Sequence, residues 1–116
     1  MSQSFRKKTD DKNIYLNLLG KSKSREPAEF LNPILSEAYF EAGETKKGIV
    51  LDFSKLEYMN SATVSPIIKI WAKMKTTGIP LTICYDEKVA WQKTSFSAFS
   101  IFEKESDLFF LSTGRD

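Results

Sequence analysis

Two nearly continuous apolar runs constrain the fold of this chain more than any other feature. Residues 48–53 read Gly-Ile-Val-Leu-Asp-Phe, and residues 81–85 read Leu-Thr-Ile-Cys-Tyr. Such runs are typical of strands that are covered on both faces, as in parallel sheets. Between them lies a helical stripe, which predicts a helix with one buried face. It consists of Val64, Ile67, Ile68, Trp71 and Met74.

The same alternation continues upstream of the first run. Residues 14–18 alternate as a strand that ends at Gly20, and residues 5–8 form a candidate partner strand. A helical stripe follows, for which we expect Asn32 as N-cap, Pro33 as the first helical residue and Gly43 as the end. Its apolar members are Leu31, Ile34, Leu35, Ala38 and Ala42.

Downstream, residues 88–96 predict a third helix, and residues 108–111 predict a strand or a packed tail. The order of strands and helices implies right-handed crossovers. We therefore predict a single small α/β domain over residues 1–116. Its sheet is mainly parallel or mixed, with four to five strands and with helices mostly on one face. Residues 1–12 are either flexible or a short edge strand.

Composition argues against most kinds of catalysis. The chain has no histidine and a single cysteine, Cys84. The commonest general base and the commonest transition-metal ligand are therefore missing, and Ser-His-Asp and Cys-His mechanisms are excluded. Cys84 lies within an apolar run, where an inert core thiol is expected. We predict a protein that is not an enzyme, has no catalytic residues and binds no metal or cofactor.

Charge is concentrated near the N-terminus. Residues 1–25 carry seven basic residues against Asp10 and Asp11, a net charge of +5. Such a segment suits either a nucleic-acid contact or a solvated terminus. We favour the second, because base stacking would require interleaved aromatic residues, and we expect no nucleic-acid partner. Without an apolar stretch of about 20 residues or a secretory signal, we predict a cytoplasmic protein with no membrane span.

The junction between the first apolar run and the second helix carries small polar residues. Asn60, Ser61 and Thr63 are all N-cap candidates there. With Thr63 as the N-cap, Pro66 lies in the first helical turn, where a missing N–H group costs little. The regular helix is therefore predicted to start near Thr63, with Ser61 on an exposed preceding turn. The residues alone leave open whether Ser61 and Thr63 are only capping residues.

This junction resembles the STAS domain family, the anti-sigma-factor antagonists. Their signature is an apolar strand with Asp, then Asp-Ser-(Ser/Ala)-Gly opening a helix, then Gly and another apolar strand. The matching residues here are Val50 to Phe53, then Asn60, Ser61, Ala62 and Thr63, then Gly78 and Leu81 to Cys84. Asn60 and Thr63 depart from the family Asp and Gly. The resemblance implies that a partner kinase phosphorylates Ser61.

This chain also resembles a related group, the SiaC-type regulatory phosphoproteins, and the resemblance includes the two positions that depart from the STAS signature. These proteins carry Tyr-Leu-Asn-Thr-Ser-Ser at the junction, and this chain has Tyr-Met-Asn-Ser-Ala-Thr over residues 58–63. Tyr85 and Asp86 match a Tyr-Asp pair after the next strand, and residues 103–110 resemble the acidic, aromatic tail. In that group, the phosphorylation state controls binding to a diguanylate cyclase.

The resemblance implies a bacterial partner-switching regulator, with Ser61 as the phosphorylation site and Thr63 as a backup. The partner-binding residues would be Asn60, Ser61, Ala62, Thr63 and Ser65. Expected partners are a serine/threonine kinase of the anti-sigma type, a PP2C-type phosphatase and a diguanylate cyclase. Two alternatives stay open: a STAS-like module without phosphorylation, such as a transporter subunit or ligand sensor, and an enzyme using Cys84 or a carboxylate pair.

Overall fold

The computed structural model describes residues 4–22 and 25–113, which form one sheet with helices packed on it. A single 3-10 turn, Ser61–Thr63, precedes the second helix in this part of the chain. The strands are β1 Ser4–Thr9, β2 Asn13–Ser22, β3 Gly48–Asp52, β4 Leu56–Met59, β5 Leu81–Cys84 and β6 Phe109–Ser112. The helices are α1 Ala28–Thr45, α2 Val64–Thr77, α3 Ala90–Ser97 and α4 Ser100–Glu105.

The sheet is mixed and mainly parallel, which confirms the predicted fold class. Its spatial order is β1-β2-β3-β5-β6, and β4 pairs with the end of β2. Only the β1–β2 pairing is antiparallel among the pairings in the described residues. The sheet thus has six strands, and the additional strand is β4, which no local pattern had indicated.

The helices cover one face of the sheet. The connections from β2 to β3, β5 and β6 all step in the same direction, and right-handed crossovers therefore place their helices on the same side. Ile14, Ile49, Leu81 and Phe109 align across four strands and are at most 1% exposed. This row and the helices enclose the single apolar core.

The basic N-terminal segment is an edge strand. β1 pairs with β2 over its whole length, from Ser4 opposite Leu19 to Thr9 opposite Ile14. Two contacts fasten it to α1: an ion pair between Lys7 and Glu41 at 2.6 Å, and an edge-to-face contact between Phe5 and Phe30. The structure therefore selects the edge strand over a flexible segment for residues 4–9. Residues 1–3 lie outside the described residues.

β2 continues past Gly20, where the sequence had predicted its end. Gly20 has a φ of 84°, a value that glycine adopts without strain. β2 pairs with β3 over residues 13–17 and with β4 from Gly20 onward, with a bulge between Gly20 and Lys21. Gly20 thus marks the point at which β2 changes its pairing partner from β3 to β4. The extension places Ser22 beside the start of α2.

The predicted boundaries of α1 are wrong at both ends. The helix begins at Ala28, so Asn32 is not its N-cap and Pro33 lies in its second turn. Pro33 is exposed, and the four-residue spacing of the buried Leu31 and Leu35 is kept through it. Burial of that stripe therefore outweighs the one backbone hydrogen bond that proline removes. At the other end the helix passes Gly43, and Lys46 adopts the left-handed conformation, with a φ of 59°.

The buried face of α2 also differs from the predicted stripe. Ile67, Trp71 and Met74 are buried as expected, but Ile68 is 39% exposed, and Ile70 is buried in its place. The residues at 67, 70, 71 and 74 follow the i, i+3, i+4, i+7 spacing equally well. Packing against α1 and the sheet selects between the two stripes.

The C-terminal part contains a shorter third helix than predicted, Ala90–Ser97, and a further helix, Ser100–Glu105. Phe96, Phe99 and Phe109 join these elements to the core through ring contacts. The run at 108–111 is the strand β6, not only a packed tail. Within the residues described, no helix has the length and apolar character needed to cross a membrane.

The corrected α2 face gives a matched pair of substitutions. Ile70→Ala removes a buried side chain and is expected to lower the free energy of unfolding by about 2–5 kcal/mol. Ile68→Ala changes an exposed position of the same helix and is expected to stay within about 0.5 kcal/mol of wild type. Denaturant unfolding of both variants measures the difference. Equal losses would show that the helix is rotated from the orientation described here.

Candidate functional site

Ser61 lies on an exposed turn at the carboxyl end of the sheet. The turn Ser61–Thr63 follows β4 and leads directly into α2, so the helix begins where the sequence predicted. Ser61, Ala62 and Ser65 are exposed, whereas Asn60 is half-buried with an extended backbone, φ −83° and ψ 165°. The Ser61 side chain is therefore accessible from solvent.

A buried chain of hydrogen bonds holds this turn against β2. The Thr63 hydroxyl donates to the Asn60 side-chain oxygen at 3.1 Å, and it lies 2.8 Å from the Ser22 hydroxyl. Because Thr63 has only one hydroxyl proton, the Ser22 hydroxyl is the donor in the second bond. The Asn60 backbone N–H donates to the Ser22 carbonyl at 3.0 Å. The turn is thus fixed to the strand by side-chain and backbone bonds.

The two departures from the STAS signature interact with each other in this network. Thr63 stands where the signature has Gly, and Asn60 stands where it has Asp. The Thr63 hydroxyl fills buried space and donates to Asn60. A buried hydroxyl needs such a partner, since leaving it unsatisfied would be costly. The pair therefore works as one structural unit.

Thr63 does not suit the roles of backup phosphorylation site and partner-binding residue. Its exposure is 0%, and its hydroxyl is engaged with Ser22 and Asn60. Thr63 also does not cap α2 through its side chain, because no side-chain hydrogen bond caps that helix. The hydroxyl points into the protein instead. The exposed residues of the predicted set are Ser61, Ala62 and Ser65.

Two cavities flank the Ser61 turn. One of about 400 Å³ is lined by Lys21, Glu57, Tyr58 and Asn60. The other, of about 240 Å³, is a groove between the first turns of α1 and α2. Its lining includes Ala62 and Ser65 of the predicted site, together with Arg25, Glu26, Pro27, Ala28, Asn32, Pro66 and Lys69. The turn thus projects between two recesses that a partner surface can enter.

A buried glutamine fixes the segment before the turn. Gln92 is 1% exposed, and its side-chain amide donates to the carbonyls of Leu56 and Ser54 at 3.1 and 3.3 Å. Its oxygen accepts the backbone N–H of Asp86 at 2.7 Å. Sequence reasoning missed both Ser22 and Gln92, because neither residue type signals burial. Gln92 ties α3 to the connection between β3 and β4.

A larger cavity, of about 510 Å³, lies at the carboxyl ends of β3 and β5, away from Ser61. Cys84 is half-buried on the helix-free face of the sheet and lines this cavity, so it is not the core thiol that was expected. Burial, and then the nearby Asp52, raise the pKa of Cys84 above its usual value. The thiol form therefore dominates at neutral pH, and a thiol is a poor nucleophile. The lining consists of Asp52, Ser54, Lys55, Cys84, Tyr85, Asp86, Lys88 and Thr113.

Comparison with known proteins identifies the fold. No family model matches the chain, and no curated protein sequence matches it either. Solved structures do match. The anti-sigma factor antagonist SpoIIAA in its unphosphorylated form has a TM-score of 0.68 at 14% identity, with 97% of this chain and 90% of that chain covered. The fold is SpoIIAA-like.

Two further structures share the SpoIIAA-like fold. An anti-sigma factor antagonist from Mycobacterium paratuberculosis has a TM-score of 0.68 at 11% identity, covering 97% of this chain and 87% of that one. A chain in the complex of the diguanylate cyclase SiaD with its activator SiaC, from Pseudomonas aeruginosa, has a TM-score of 0.59 at 15% identity. That match covers 86% of this chain and 84% of the other. The structural resemblance inferred from the junction motif is therefore confirmed.

The buried hydroxyl pair provides a stability test of the site. Thr63→Val keeps the shape of the side chain but leaves the Ser22 hydroxyl without its acceptor, and is expected to destabilise the fold by about 1–3 kcal/mol. Thr76→Val is the matched control, because its hydroxyl bonds to the Lys73 carbonyl at an exposed position. That control is expected to stay within about 0.5 kcal/mol of wild type. If Thr63→Val had the same denaturant midpoint of unfolding as wild type, the result would contradict a stabilising role for this network.

Proposed function

We propose that this protein is a bacterial, cytoplasmic regulator in a partner-switching pathway, and that phosphorylation of Ser61 determines which partner it binds. The observation that carries the proposal is an exposed serine on a turn held rigidly by a buried network, at the start of α2. The unphosphorylated form binds the main target. The protein itself catalyses no reaction, and the chemistry belongs to its kinase and phosphatase.

The fold neighbours support a switch of this kind. SpoIIAA has been solved in both unphosphorylated and phosphorylated forms, the second matching with a TM-score of 0.61. Another neighbour comes from a complex between a diguanylate cyclase and its activator. We accordingly propose an anti-sigma-type serine/threonine kinase, a PP2C-type phosphatase and either an anti-sigma-type protein or a diguanylate cyclase as the partners of this chain.

The charge of the phosphate accounts for a change in binding without loss of the fold. A phosphoserine adds about −1.5 to −2 charge and three strong acceptor oxygens. At the start of α2, free backbone N–H groups and the helix dipole favour negative charge by about 0.3–1 kcal/mol. A partner that covers Ser61 must instead desolvate or repel the phosphate. A cost of about 3 kcal/mol would weaken binding more than a hundredfold.

A second candidate function is a STAS-like module that binds a small ligand without phosphorylation. The cavity of about 510 Å³ at the carboxyl ends of β3 and β5 favours it, since α/β sheets commonly bind ligands at that edge. Its lining includes two lysines and two aspartates, Lys55, Lys88, Asp52 and Asp86. On that alternative, substitutions at Ser61 would leave binding unchanged.

Variants of Ser61 test the switch. Ser61→Glu places negative charge on the exposed turn and is expected to melt close to wild type while losing the main partner, whereas Ser61→Ala retains it. The measurement is a pull-down from the host with each variant as bait, followed by affinity measurements with the recovered partner and thermal melts of the variants. Ser36→Glu is the matched control, because Ser36 is exposed on α1. Equal recovery of every partner by Ser61→Ala and Ser61→Glu would make Ser61 a purely structural residue.

A further inference from the structure

The outer surface of α2 continues directly from the Ser61 turn. Ser65, Ile68, Lys69, Ala72 and Lys73 are all exposed and follow helical spacings of three and four residues. We name this set the α2 face. Its middle is apolar or small, with Ile68 39% exposed beside Ala72. An exposed isoleucine between small residues leaves a shallow surface on which another helix can lie.

The charged residues of α2 are all basic. α2 contains Lys69, Lys73 and Lys75 and no acidic residue. Among the described residues, no ion pair joins one of these lysines to a carboxylate. Like charges four residues apart, as at 69 and 73, repel one another. The helix therefore carries a repulsion that its own folding does not require.

The groove beside the α2 face adds an apolar recess with cationic sides. It lies between the first turns of α1 and α2, and Pro27, Ala28 and Pro66 supply apolar lining. Arg25 and Lys69 stand on its rim, together with one acidic residue, Glu26. Including Lys73, the combined surface presents three cations to one carboxylate. A partner with complementary charge must be acidic.

We infer that the α2 face and its groove bind an acidic amphipathic helix of the target protein. This inference rests on the proposed function and names the chemistry of the partner. Apolar side chains of that helix lie on Ile68 and Ala72 and enter the groove, in the helix-in-groove mode. Its carboxylates face Lys69, Lys73 and Arg25.

This arrangement explains the sign of the switch. Ser61 lies one turn before Ser65, at the start of the same surface. A phosphate there adds negative charge where an acidic helix must approach, so it repels the helix and competes for the same cations. The effect on binding is therefore electrostatic and weakens as salt is added.

The test uses a defined probe, a synthetic amphipathic helical peptide with leucines on one face and flanking glutamates. Titrated into the isotopically labelled protein, it is expected to shift the amide resonances of the α2 face. A peptide with glutamine in place of glutamate should bind about tenfold more weakly or worse. Resonance shifts confined to another surface, no binding, or equal binding of the two peptides would overturn the inference.

Charge reversal supplies the matched control. Lys69→Glu combined with Lys73→Glu is expected to weaken binding of the glutamate peptide about tenfold or more. Lys93→Glu combined with Lys104→Glu makes the same change in net charge at exposed positions off α2, and should change affinity less than about twofold. Equal losses in the two double variants would overturn the inference, because the effect would then come from net charge alone.

Ser61→Glu separates this inference from the proposed function. In one outcome the peptide binds the α2 face, Ser61→Glu does not weaken peptide binding, and Ser61→Glu recovers every partner in the pull-down. The acidic-helix surface is then supported and the switch is refuted. If Ser61→Glu loses its partner in the pull-down while the peptide does not bind, the switch stands and the acidic-helix surface fails.

Discussion

The hydrogen bond between the hydroxyls of Ser22 and Thr63 joins the end of β2 to the start of α2 inside the protein. Both residues are 0% exposed, so their hydroxyls need partners inside the protein, and the Thr63 hydroxyl accepts from Ser22 while it donates to Asn60. Ser22 reaches this position because β2 extends beyond its pairing with β3 and pairs with β4 over residues 20–22, with a bulge after Gly20. The end of β2 and the turn before α2 are thus held together, and the position of Ser61 depends on both.

This network separates the residues that hold the junction together from the residues that face solvent. Asn60 and Thr63 serve the network, while Ser61, Ala62 and Ser65 face outward. A rigid support matters for a site of recognition, because a preorganised surface loses less entropy on binding. On the proposed function, a phosphate on Ser61 would alter the surface without disturbing the core, since the Ser61 hydroxyl is not part of the network.

The sequence was sufficient for the features that depend on local pattern. The apolar runs identified β3 and β5, and Pro66 placed the start of α2 correctly. Features that depend on distant partners were missed. β4 is a strand because residues 20–22 pair with it, and Thr63 is buried because Ser22 reaches it. Ile68 and Ile70 fit the helical period equally well, and only tertiary packing decides which is buried.

The proposed switch depends on the covalent state of one hydroxyl, that of Ser61. Site-resolved mass spectrometry of the protein purified from its own host measures that state directly, with the Ser61→Ala variant purified in parallel. We expect a single phosphoryl group on the peptide containing Ser61, removable by a phosphatase and absent from the variant. A phosphate on another residue, or an unmodified Ser61 under every growth condition tested, would contradict it.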